Sequence, residues 1–356
     1  MSNQRRQFLK SAMAGVAALS TAGFGKGHAA SAKKPNILFI TIDDLNSWIT
    51  GKQRHPLVQC KNIDKLMSRS VNFTNAHCAA PGFMPELVIS KEVKAHGRGY
   101  AAEKFYPFPV KNPIVDTLGH KVGQSLVAGP VDRETNMFDK KMPDELVADW
   151  LVEHLENHQS NTPFFMAGGF LRPHVPFTAP QEYFDAIDIN KIQLPTVDDM
   201  TDIPDYGKAM ALGFIPGGDH NAVKELGEDY WKELIQGYLA SIAFVDDQVG
   251  RVLNALEASG KADNTWIFLT SDHGQNFGEK ENWRKMCLWD ESTRTPLIIC
   301  PPDRLERNNL IDKPQFKMIA AKLRVHIPKS PSLPVGMTKW TGDRLDTIVG
   351  ELRSAI

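Results

Sequence analysis

Two short apolar runs, far apart in the chain, each break off into acidic residues, and together they constrain the fold more than any other feature. Thr265 to Lys285 reads T-W-I-F-L-T-S-D-H-G-Q-N-F-G-E-K-E-N-W-R-K. Within it, Trp266 to Leu269 is continuously apolar, too short for a helix and preceded by Asp263-Asn264. That pattern predicts a buried strand covered on both faces, as in a parallel sheet. The chain then turns into Ser271-Asp272-His273-Gly274, which puts a carboxylate and an imidazole just past a strand's carboxyl end, where open α/β sheets bind ligands. Asp and Gly also build ordinary turns, so this stretch alone decides nothing. The second run, Asn36 to Ile42 (N-I-L-F-I-T-I), is also of strand length and ends in Asp43-Asp44. If the two strands are neighbours in one sheet, Asp43, Asp44, Asp272 and His273 converge. Three uncompensated carboxylates repel strongly at short range, so a hard divalent cation is their natural partner. Oxygen-rich ligation with one nitrogen suits Ca²⁺, with Mg²⁺ as the alternative, better than Zn²⁺, and no cysteine lies in either run.

Between these runs the spacing predicts a framework of alternating strands and helices. Asn62 to Arg69 has Ile63, Leu66 and Met67 on one helical face, and Val71 to Phe73 reads as a short strand. Asp144 to His158 is an amphipathic helix with Val147, Trp150, Leu151 and Leu155 inward, Asp144 at its N-cap and Pro143 just ahead. Phe164 to Gly169 is a strand that delivers Arg172-Pro173-His174 at its end. Tyr230 to Ser259 carries an apolar stripe at helical spacing, read as core without chemistry, with Gly260 as the C-cap. Pro296 to Cys300 is a further strand. Its end is expected on the same side of the sheet as the acids.

The chain has 356 residues with a net charge of −1, and its only basic cluster near a terminus is Arg5-Arg6. That balance argues against a nucleic-acid or anionic-membrane partner. Arg5-Arg6-Gln7-Phe8-Leu9-Lys10 is a twin-arginine signature, followed by a small-residue apolar stretch and an A-x-A site at Ala30-Ser31-Ala32. Residues 1–32 therefore read as a signal for the Tat export machinery, too short and too rich in Ala and Gly to span a membrane. The mature protein is expected in the periplasm or secreted. Cys60, Cys78, Cys287 and Cys300 show no zinc spacing, and the compartment permits a disulfide without the spacing pairing them, so buried free thiols are the default.

N-I-L-F-I-T-I-D-D-L-N at 36–46 and S-D-H-G-x-x-x-G-E-K-x-x-W-R-K at 271–285 resemble the sulfatase family, most closely its iduronate-2-sulfatase-like branch. F-T-N-A-H-C-A-A-P at 73–81, R-P-H-V-P-F at 172–177 and T-R-T-P-L-I-I at 293–299 agree with it. The resemblance implies an alkaline phosphatase-like α/β fold: a central, mostly parallel sheet with helices on both faces, over residues 33–300. Residues 301–356 would be a remnant of a truncated C-terminal region. It implies a divalent metal on Asp43, Asp44, Asp272 and His273, a general acid at His174, and sulfate-binding lysines at Lys285 and Lys104. Lys285 has a competing reading as a solvated lysine beside Arg284 and Lys280. The family's nucleophile, a formylglycine made within C/S-x-P-x-R, has no counterpart. Gly82-Phe83-Met84-Pro85-Glu86-Leu87 puts Phe83 in its place and Leu87 in that of the arginine, unless the whole nucleophile helix is deleted, and Pro107 stands where a histidine belongs. Cys300-Pro301-Pro302-Asp303-Arg304 satisfies the pattern by coincidence, since two prolines remove backbone donors and Asp303 would face an anion. The function implied is a sulfuric ester hydrolase acting on a sulfated small molecule or glycan, impaired in this copy. The alternatives are a non-catalytic, metal-dependent binder of sulfated sugars and a phosphoester hydrolase of the same superfold.

Overall fold

The computed structural model describes residues 34–79, 126–134, 140–195, 201, 218–285 and 287–302. The twin-arginine segment, residues 82–87, Lys104, Pro107 and everything beyond residue 302 lie outside them. The chain runs through β1 (Asn36–Ile42), α1 (Lys61–Met67), β2 (Val71–His77), β3 (Ala128–Pro130), α2 (Pro143–Asn157) and β4 (Phe165–Phe170). It continues through β5 (Phe177–Ala179), α3 (Gln181–Asp185), α4 (Gly218–Leu226), α5 (Glu228–Ala258) and β6 (Thr265–Ser271). A hairpin of β7 (Asn276–Phe277) and β8 (Trp283–Arg284), the turn α6 (Asp290–Thr293) and β9 (Arg294–Cys300) follow. From Pro35 onward the described residues belong to one compact unit.

Among the described residues, five strands form the central sheet in the order β2-β9-β6-β1-β4. β1 is parallel to β6 on one side and to β4 on the other, and Ile42 is level with both Ser271 and Phe170. β9 pairs antiparallel with β6 and with β2, so it alone runs against the other four strands. The sheet is therefore α/β and mostly parallel, with one reversed strand. The reversal follows from the connection: the β7–β8 hairpin and α6 turn the chain back instead of carrying it across the sheet on a long helix. It also corrects the expected position of Cys300. Cys300 is level with Ile267, four residues back from Ser271, where β6 ends and the acids leave the sheet. All four cysteines are free thiols, Cys60, Cys287 and Cys300 buried and Cys78 partly so.

Burial in β1 and β6 alternates residue by residue, with Leu38, Ile40, Ile42, Ile267 and Leu269 buried. The other face, bearing Ile37, Phe39, Trp266 and Phe268, is half-buried, so the continuous apolar runs are not covered equally on both sides as expected. On the buried side α2 lies so close to β4 that a Cβ on Gly168 would stand 2.4 Å from a methyl of Leu151. α5 packs against α1, α2, α4, β3 and β5. Each fully buried Leu, Ile, Val or Phe in these layers contributes roughly 1.5–3 kcal/mol. No helix among the described residues is long and apolar enough to cross a membrane.

Two buried carboxylates tie helices to the framework. Asp144 is not the cap of α2: Met142 holds that position, Pro143 opens the helix, and the Glu145 carboxylate accepts the Met142 N–H at 2.6 Å. Asp144, one residue further in, faces the sheet and accepts the backbone N–H groups of Leu171 (2.6 Å) and Arg172 (3.1 Å). Asp246, within the apolar stripe of α5, accepts the Asn62 N–H (2.9 Å), the Asn62 side-chain amide (2.9 Å) and the Ile63 N–H (2.7 Å). It thereby caps α1 from another element, because the side chain at the native cap position, Cys60, makes no capping bond to the helix's first N–H groups. Asp246→Ala leaves buried donors unpaired at the start of α1, and a loss of about 2–4 kcal/mol in urea unfolding is expected. A loss below about 0.5 kcal/mol would mean that water replaces the carboxylate.

Candidate metal centre

Because β1 and β6 end level, Asp43-Asp44 and Asp272-His273 emerge side by side. One ligand atom from each of Asp43, Asp44, Asp272 and His273 lies within 4.8 Å of the others. Asp44 and His273 are buried, while Asp43 and Asp272 keep some exposure. His273 Nδ1 lies 3.1 Å from Asp44 Oδ1, and its Nε2 is 3.0 Å from Asp272 Oδ2 without hydrogen-bond alignment.

The backbone around these groups is tightly held. Asp44 is in the left-handed region (φ 62°), which Asp tolerates better than most residues. Its N–H donates to Asp272 Oδ1 (3.2 Å), and the Leu45 N–H donates to Ser271 Oγ (3.0 Å). The Asn46 side-chain amide donates to the Gln275 carbonyl (3.1 Å), which ties the two loops together. Gly274 has no room for a side chain, since a Cβ there would stand 1.9 Å from the Glu291 carbonyl oxygen.

Crowding of like charge shifts these groups apart. Burial, reinforced by Asp44 and Asp272, pushes the Asp43 carboxyl well above the usual range. Asp44 is held low despite its burial, chiefly by Lys285, whose Nζ is 2.7 Å from Asp44 Oδ1. Asp44 and Asp43 in turn raise Lys285 against its own burial. Asp44 Oδ2 and His273 Nε2 are buried and have no hydrogen-bond partner among the described residues. Three clustered carboxylates with an unpartnered buried oxygen and ring nitrogen fit a hard divalent cation with mainly oxygen ligands.

His174 arrives from β4. Its Nδ1 is 2.6 Å from the Val175 carbonyl, and its Nε2 lies 4.0 Å from Asp44 Oδ2. The fully buried Arg172 donates through Nη1 to the His174 carbonyl (2.6 Å), and Asp144 holds the Leu171–Arg172 backbone from below. Burial pushes the imidazole down to about 4, against the pull of Asp44 and with the help of Lys285. Of the three basic residues near 280, Lys285 points at the acids. Arg284 (φ 64°) pairs instead with Asp219 of α4 at 2.8 Å, and the Lys280 ammonium sits 5.1 Å from the Trp289 ring centroid.

A family model described as Sulfatase matches residues 93–321, more than half of the chain. The chain belongs to the sulfatase family. A sulfatase of Formosa agariphila is 33% identical over 343 residues, covering 79% of this chain and 66% of the relative. Iduronate 2-sulfatase of Homo sapiens is 33% identical over 338 residues, covering 76% of this chain and 60% of the relative. The chain thus spans less than two thirds of the length of either relative. Among solved structures, the phosphonate monoester hydrolase of Agrobacterium radiobacter superposes with a TM-score of 0.52 at 17% identity, over 75% of this chain and 68% of that one. That likeness is one of fold, the alkaline phosphatase-like α/β architecture.

Within this sulfatase chain, several residues that shape the centre escaped sequence reasoning. Asp144 looked like a cap and Tyr238 like core, and the Asp219 partner of Arg284 drew no reading. The apolar and turn patterns around them are ordinary, so only their distant partners reveal them.

The His174 shift has a consequence for acid stability. In the unfolded chain the ring titrates near 6.5, in the folded chain near 4. The folded state therefore binds fewer protons in between, and this contribution is present above about pH 6.5 and lost as pH falls towards about pH 4. It amounts to at most about 3 kcal/mol. His174→Gln removes it, so the variant is expected to lose less unfolding free energy than the parent between about pH 7 and about pH 4. Parallel pH profiles for the two proteins would contradict the assignment.

Proposed function

We propose that this chain descends from sulfuric ester hydrolases, holds one divalent cation through Asp43, Asp44, Asp272 and His273, and binds the sulfate group of a sulfated sugar or small molecule. The observation that carries this reading is the level ending of β1 and β6, which gathers three carboxylates and an imidazole around unpartnered buried atoms. The oxygen-rich ligand set favours Ca²⁺, with Mg²⁺ as the alternative. Similarity to iduronate 2-sulfatase, whose name gives a sulfate ester of a sugar acid, supports a glycan substrate.

The roles proposed for the side chains follow from charge. Lys285, half-buried beside the acids, would bind a sulfate oxygen, and Lys104 would bind another. When bound, the cation supplies charge neutralisation for an attacking oxygen and a sulfate oxygen. His174 would give a proton to the leaving alcohol from Nε2, since Nδ1 faces the Val175 carbonyl. With the site empty of substrate the ring is neutral near pH 7, and the negative charge of an incoming sulfate would raise its proton affinity.

The nucleophile is where this copy departs from its family. Phe83 and Leu87 replace the residues that make formylglycine, or the whole helix is deleted, which supports an impaired enzyme and gives weight to a role as a metal-dependent binder of sulfated sugars. Arg5-Arg6-Gln7-Phe8-Leu9-Lys10 supports export by the Tat machinery to the periplasm or beyond.

Calorimetric titration with calcium is expected to show one site in the parent and a large loss of affinity in Asp272→Ala. Equal affinity in the two would defeat the ligand assignment. Turnover of an aryl sulfate is expected near background, several orders of magnitude below a complete sulfatase. Phe83→Cys combined with Leu87→Arg is expected not to restore it, and vigorous hydrolysis by that double variant would show that the nucleophile helix is intact.

A further inference from the structure

Tyr238 lies in the middle of α5, fully buried in what otherwise reads as a packing stripe. Its hydroxyl does two things at once. It donates to the Asp44 carbonyl at 2.8 Å and accepts the Asn46 N–H at 2.9 Å. These two groups bracket the turn that carries Asp44 in its left-handed conformation. No other hydrogen bond reaches the Asp44 carbonyl or the Asn46 N–H among the described residues.

The ring that presents this hydroxyl is itself fixed. It meets Trp48 and Phe177 edge-on, both at 5.5 Å between centroids, and Phe277 at 4.6 Å. Trp48 follows Asn46 by two residues, and Phe277 follows His273 by four. The tyrosine thus touches both acidic loops while standing on a helix of 31 residues. Asp44 is the group on which the centre turns: it faces His273, Lys285 and His174 together. A small rotation of its peptide would move both carboxylate oxygens.

Resting on the metal assignment above, we infer that Tyr238 is a positioning residue for the cation: its hydroxyl locks the Asp44–Asn46 turn in the ligating conformation and so sets metal affinity from α5. Groups that orient ligands without touching the metal typically change affinity by about 10- to 100-fold when removed. Tyr238→Phe keeps the ring and its aromatic contacts and deletes only the bridge.

The decisive measurement is calcium titration by calorimetry on parent and Tyr238→Phe, alongside thermal unfolding of both in chelator and in excess calcium. The expected result is a calcium Kd raised about tenfold or more and a smaller calcium-induced rise in Tm for the variant. A purely structural hydroxyl would lower the Tm in chelator and leave the Kd unchanged, and that result overturns the inference while sparing the metal site. A parent that binds no calcium overturns the metal assignment and the tyrosine's role with it. Should Tyr238→Phe not fold, amide hydrogen exchange of Asn46 in the parent decides: calcium is expected to slow it, and indifference to calcium refutes the coupling.

Discussion

The parallel, level pairing of β1 with β6 is the constraint on which the rest of this structure depends. It forces Asp43, Asp44 and Asp272 into one small volume at the sheet's carboxyl edge, where their mutual repulsion opposes folding. Everything nearby answers that repulsion. Lys285 and His273 bring opposite or neutralisable charge, Asp272 accepts the backbone N–H groups of Asp44 and His273, and Asp43 is driven towards its protonated form. A divalent cation would satisfy the same cluster more completely, though Lys285 already occupies one side of Asp44. From that side the lysine offsets part of the carboxylates' charge.

Apolar packing decides where the helices go, but buried polar side chains decide how the loops are set. Asp144 reaches from α2 to the turn after β4 and so orients Arg172 and His174. Asp246 reaches from α5 to the start of α1, and Tyr238 from α5 to the acidic turn. Each sits on a long helix where packing holds it still, and each accepts or donates at least two hydrogen bonds. Such groups convert the rigidity of a hydrophobic core into fixed geometry at a polar edge, because an unpaired buried donor or acceptor is more costly than a displaced methyl group.

Much of the centre was legible from sequence, since its chemistry is local to strand ends. The runs at 36–42 and 265–271 announced strands by their apolar continuity, and the acids directly after them followed from the rule that α/β sheets bind ligands at carboxyl edges. Helices α2 and α5 were legible from periodicity to within about two residues at each end. Three features were not. The reversal of β9 depends on a short connection whose hairpin carries no strong turn signal, and it removed Cys300 from the acidic edge. Asp144 satisfied every local rule for a helix cap and was used elsewhere. Of the three basic residues Lys280, Arg284 and Lys285, only the tertiary partners Trp289, Asp219 and Asp44 distinguish the one that faces inward.

The sequence by itself determined which residue types stand at the strand ends, because a strand's period and its terminating acids are properties of contiguous residues. Only the tertiary structure decided that those ends are neighbours and level with each other, and which distant hydroxyl or carboxylate holds each turn. Pairing register and buried hydrogen bonds join residues about two hundred positions apart, and no local pattern encodes a partner at that distance.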